Sequence, residues 1–185
     1  MTSLQIRKMT CAAMLLALAV LMPKVAGLIP EIGKTLNLMH IPVLLCGFLC
    51  GWPWGLAVGG AAPLLSFLLN GMPKLYPDAT VMAFELAAYG CAAGLLYRLL
   101  RRKKGGIYIA LILAMIAGRL VYGIVYFFLL KLGLAAIGEA LPAYVWARTV
   151  LKPWPGIALQ IVVVPVLVMA LERAGQIMND GREKK

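Results

Sequence analysis

From Thr35 to Pro73 the chain runs for 39 residues without a formal charge. A bilayer's hydrocarbon core, about 30 Å thick, is crossed by about 20 apolar helical residues. The run is therefore long enough for two crossings. GWPWG at Gly51–Gly55 marks the place to divide it, because Pro53 cannot continue a helix and glycine admits a tight turn. This gives a short span at about 38–50 and a longer one at about 54–70. A re-entrant segment here would reduce the count by one.

The same criterion finds spans at about 9–29, 79–97, 105–130 and 153–171, of which the second and third carry the single charges Glu85 and Arg119. The expected fold is an all-α integral membrane protein, a six-transmembrane-helix bundle forming one domain over residues 1–185. Composition agrees: 63% of residues are hydrophobic and 14% charged, against about 25% charged in soluble domains. Met1–Lys8 is a short basic start with no cleavage site leading into a soluble domain.

The net charge of +11 would raise nucleic acid as a partner in a soluble chain. In a chain embedded in lipid, basic residues beside the spans set topology instead. Six spans with the N-terminus inside place Arg7, Lys8, Arg98, the Arg101–Lys104 cluster and the basic C-terminal residues in the cytoplasm. Lys24, Lys34, Lys74, Lys131, Arg148 and Lys152 fall on the outer side. The bias favours cytoplasmic N- and C-termini, with no nucleic-acid partner.

The outer loop 24–37 contains GLIPEIGKT, which ends like a nucleotide-binding P-loop. It has five residues, not four, between Gly27 and the Gly33-Lys34-Thr35 ending, and apolar helical segments flank it. It also lies on the wrong side of the membrane for ATP. Cys11, Cys46, Cys50 and Cys91 sit in apolar runs without a C-x-x-C pair, and His40 is the only histidine. They read as small buried hydrophobes, with no metal site and no cofactor.

Ionisable residues inside spans are costly and face a bundle interior or a wet cavity. Glu85 and Arg119 either pair with each other or meet a ligand. Asn37, His40, Asn70, Tyr89, Tyr126, Trp154 and Gln160 also collect in the outer half, as a few polar groups in a mostly apolar site would. Small residues at intervals of four, including Gly47, Gly51, Gly55, Gly59, Gly90 and Gly94, mark close helix contacts. Ala13 and Ala17 give the first span a similar face, open to another protein. Walker, H-E-x-x-H and G-x-S-x-G motifs are missing. The chain reads as a binding subunit that borrows its energy elsewhere.

The stretches MHIPVLLCGFLCG, PLLSFLLNGMPKLYP, AFELAAYGCAAGLLYRLL, AGRLVYG and PWPGIALQIVVVPVLVMALE, in this order, resemble the substrate-binding S component of energy-coupling-factor (ECF) vitamin transporters. The resemblance implies a cavity on the outer side, covered in part by the loop after the first helix, so that Lys34 becomes a lid residue over the ligand. It implies docking through Ala13 and Ala17 onto a membrane coupling protein carrying two cytoplasmic ATPases, in a bacterial cell membrane. Arg119 and the outer lysines favour a ligand with a carboxylate, pantothenate- or folate-like. Metal-carrying members use an N-terminal histidine, where this chain has Thr2 and Ser3. Two other readings are a small membrane enzyme acting on a lipid or isoprenoid, and a stand-alone secondary carrier. Neither a nucleophilic or acidic cluster nor a coupling carboxylate pair is visible for them.

Overall fold

The computed structural model describes residues 3–27, 37–73, 75–100, 105–131 and 154–178. Lys34, most of the loop 24–37, the Arg101–Lys104 cluster and the segment 132–153 lie outside the described residues. Helices α1 (Ser3–Gly27), α2 (His40–Cys50) and α3 (Trp52–Asn70) come first. A wide turn at Leu75–Ala79 leads into α4 (Thr80–Leu100), followed by α5 (Gly106–Lys131) and α6 (Trp154–Arg173). No strand occurs among the described residues.

Five of these helices are long and apolar enough to cross a membrane, and α2, with 11 residues, is not. At 1.5 Å per residue α2 measures about 16 Å, roughly half the hydrocarbon core. Leu68, Leu69, Leu99, Phe128 and Val162 are all exposed. A surface so apolar suits contact with lipid rather than water. The chain is a multi-pass membrane protein.

The turn between α2 and α3 rests on Gly51, whose φ of 99° is a backbone that L side chains rarely adopt. Its N–H is satisfied by the Gly47 carbonyl at 3.1 Å. Pro53 then occupies the first turn of α3, where its missing N–H costs nothing. The proline expected to end one helix starts the next.

Glycine sets how closely α4 approaches its neighbours. A Cβ added at Gly55 would run into the Gly90 carbonyl, one at Gly59 into the Leu86 carbonyl, and one at Gly94 into the Trp52 backbone. These pairs advance along α3 as they retreat along α4, so the two helices are antiparallel. Gly47 meets Gly90 as well, which places α2 on the same seam. Backbone contact this close is how membrane helices associate without a hydrophobic driving force between them.

Side-chain ties fasten the ends. Asn70 donates its amide to the Val20 carbonyl at 2.9 Å, joining α3 to α1. At the opposite end Tyr97 donates to Glu172 Oε1 at 3.3 Å, joining α4 to α6. Beyond α6 the chain turns back, burying Ile177 and bringing the Met178 N–H to the Leu49 carbonyl at 2.9 Å. The four cysteines are free, with Cys46 and Cys50 buried.

Candidate functional site: a buried polar cluster between α2, α4 and α5

Because α2 is short, its first residue, His40, lies inside the bundle, 1% exposed. Asn37 just before it has a φ of 46°, a left-handed conformation that asparagine tolerates. The Asn37 carbonyl thereby accepts both the His40 backbone N–H at 3.0 Å and a bond from imidazole Nδ1 at 3.1 Å. A carbonyl only accepts, so Nδ1 carries the hydrogen. In the neutral ring Nε2 then holds a lone pair, and it faces Glu85 Oε1 at 3.9 Å.

Glu85 lies in the second turn of α4 and is 2% exposed. Its Oε1 is 3.0 Å from Nη1 of Arg119, which reaches in from the middle of α5. A burial this deep requires such pairing. The contact is an ion pair by distance, but its alignment leaves Oε1 without a hydrogen bond in the directional sense.

Tyr89 follows Glu85 by one helical turn, on the same face. Its ring meets His40 edge to face, with centroids 5.2 Å apart at 79°. The other side of the ring lies against Gly118, where an added Cβ would come within 2.7 Å of it. Gly118 therefore provides the seat for Tyr89, immediately before Arg119 in the chain.

Gln160 on α6 is 1% exposed. Tyr97 and Glu172 meet at the far end, so α4 and α6 run toward the same end. Twelve residues back from that contact on each helix stand Glu85 and Gln160, which puts them at a similar level.

His40 Nε2, Tyr89 Oη, Arg119 Nε and Gln160 Nε2 are buried and make no hydrogen bond among the described residues. Buried polar atoms are normally bonded, and these concentrate at one level of an otherwise apolar bundle. The phenol, the guanidinium and the amide can all donate. A molecule rich in acceptors complements them.

The other expected residues take different places. Asn37 contributes its carbonyl to His40. Asn70 spends its amide on Val20, with Ser66 Oγ at 3.5 Å as a second acceptor. Tyr126 stacks on Tyr122, with centroids 6.0 Å apart, on the stripe of α5 that includes Arg119. Trp154 begins α6 and is 68% exposed. Ala13 and Ala17 are exposed on α1 beside Met14 and Leu18, whereas Ala12 and Ala19 face the core.

Sequence reading missed Tyr122 and Gly118. The i, i+3, i+7 spacing of Arg119, Tyr122 and Tyr126 would have found the first. Nothing local could have found the second, since its role is set by a ring on another helix.

The family described as ECF transporter, substrate-specific component matches residues 7–168. No curated protein and no solved structure matches the chain. The chain belongs to the substrate-specific components of ECF transporters.

Proposed function

We propose that this substrate-specific component captures a small water-soluble vitamin at the cluster of His40, Glu85, Tyr89, Arg119 and Gln160. The observation that carries the reading is the set of buried polar atoms on these side chains that have no hydrogen-bond partner among the described residues. Such a set is costly in an apolar interior, and a ligand that completes its hydrogen bonds would offset the cost. The distribution of basic residues supports cytoplasmic termini and a cluster reached from outside. The loop 24–37, with Lys34, forms part of the lid. Tyr126 and Trp154 line the approach, and Asn37 and Asn70 support it.

The ligand class is pantothenate- or folate-like, with a carboxylate for Arg119. Delivery follows docking of the exposed Ala13 and Ala17 face of α1 on a membrane coupling protein driven by two cytoplasmic ATPases, in a bacterial plasma membrane. The chain supplies recognition, and no reaction is assigned to it.

The test is native mass spectrometry of the detergent-purified chain, followed by titration calorimetry against a vitamin panel. One vitamin is expected to bind at one per chain, and Arg119→Gln to lose it. A chain that binds no member of the panel defeats the proposal.

A further inference from the structure

The cluster's charge balance sets what can enter it. Glu85, which is buried, and Arg119, which is partly buried, place one anion and one cation 3.0 Å apart. His40 Nε2 and Glu85 Oε1 face each other at 3.9 Å, and neither has a hydrogen-bond partner among the described residues. With Nδ1 committed to Asn37, these are two acceptors with no hydrogen between them.

The surrounding helices offer little else to balance a charge. From Trp52 to Asn70, α3 has no titratable side chain. Beyond His40, α2 has only the thiols Cys46 and Cys50, and α4 presents the Tyr89 phenol. On α5, Arg119 is joined by the phenols Tyr122 and Tyr126. Lys24 of α1 is exposed near that helix's C-terminus. Glu172 and Arg173 of α6 lie at the opposite end, where Tyr97 meets Glu172.

An anion admitted to Arg119 leaves the cluster one negative charge in excess, in an interior that penalises unpaired ions heavily. We propose that the site takes a carboxylate ligand together with one proton, lodged between His40 Nε2 and Glu85 Oε1. The ligand's carboxylate replaces Glu85 on Arg119, and the proton turns the two facing acceptors into a hydrogen bond. The proton comes from water, and no other bond forms or breaks. This rests on the ligand-binding reading above and adds the stoichiometry of what is bound. One-proton linkage makes carboxylate affinity rise about tenfold for each unit the pH falls across the linked range. An uncharged analogue shows no such slope.

His40 is the only histidine in the chain, so 15N-histidine labelling reports a single imidazole. The experiment uses the full-length protein in lipid nanodiscs and has two arms. Without ligand, Arg119→Gln creates the same charge deficit, and the imidazole signal is expected to move toward imidazolium at fixed neutral pH. An unmoved signal overturns the proposal.

The second arm uses wild-type protein, so it does not depend on that variant folding. Pantothenate, biotin and folate are compared with riboflavin, pyridoxine and pantothenol by calorimetry in buffers of different ionisation enthalpy. A carboxylate probe is expected to bind with uptake of one proton, and Glu85→Gln to bind it with none. Binding of a carboxylate without proton uptake, or tightest binding of an uncharged probe, overturns the proposal. Silence from all six probes, with the Arg119→Gln response present, defeats the vitamin reading and supports the proton site.

Discussion

At Leu86, Gly90 and Gly94, α4 meets its neighbours backbone to backbone, whereas at Glu85 and Tyr89, each one residue earlier than a seam contact, it meets them through side chains. The glycine stretch leaves no room for a methyl group and joins α2, α3 and α4 in a fixed register. The Glu85–Tyr89 stretch is also buried, but its polar atoms are left short of partners among the described residues. One helix thus holds a rigid seam directly beside a site able to exchange partners. Close packing in the first keeps the polar geometry of the second from relaxing away.

The comparison breaks most readily at the seam. Gly90→Val pushes side-chain carbons into the Gly55 backbone. Overpacking costs about 1–3 kcal/mol even where side chains can yield, and backbone cannot. The expected outcome is loss of monodisperse folded protein, read by size-exclusion chromatography. A variant with wild-type elution and melting would show that the seam is not rigid.

Arg119→Gln strikes the other stretch. Removing one member of a buried pair costs about 3–5 kcal/mol, or about two decades or more in binding if expressed there. The protein is expected to be recovered but to lose vitamin affinity about 100-fold by calorimetry. Collapse of the fold instead would make the pair structural and erase the distinction between the two stretches.

Ala13→Leu with Ala17→Leu enlarges the exposed face of α1 and touches neither stretch. Uptake by vesicles containing the complete transporter should fall about tenfold, while binding by the isolated chain stays within twofold. Loss of binding would connect α1 to the cluster. Tyr89→Phe removes one hydroxyl and keeps the ring between His40 and Gly118. About 1 kcal/mol for a single hydrogen bond predicts roughly fivefold weaker binding with unchanged melting. The smallest effect is expected at the exposed Trp154: Trp154→Ala should change calorimetric affinity less than twofold.

How far the sequence could be read depended on the range of the interaction. Four-residue glycine spacing announced close contacts, and an uncharged run interrupted by GWPWG announced a short second helix. Both signals are local. The partners were not local: Gly55 meets Gly90, and Asn70 reaches back to Val20. Glu85 and Arg119 stood out because charges are rare in spans, yet both a mutual pair and a ligand site fitted them. Only the bundle shows their contact. His40 showed least from sequence, because its meaning depends on a carbonyl three residues earlier and a carboxylate two helices later.

The brevity of α2 also has an electrical meaning. Water standing above His40 would leave about 16 Å of low-dielectric barrier there, the length of α2. Below it the Met178 N–H meets Leu49. The transmembrane voltage would then fall over roughly half its usual distance, and a charge beside His40 would feel roughly twice the field. An electroneutral pair of anion and proton would be indifferent to that field, and a bare anion would not.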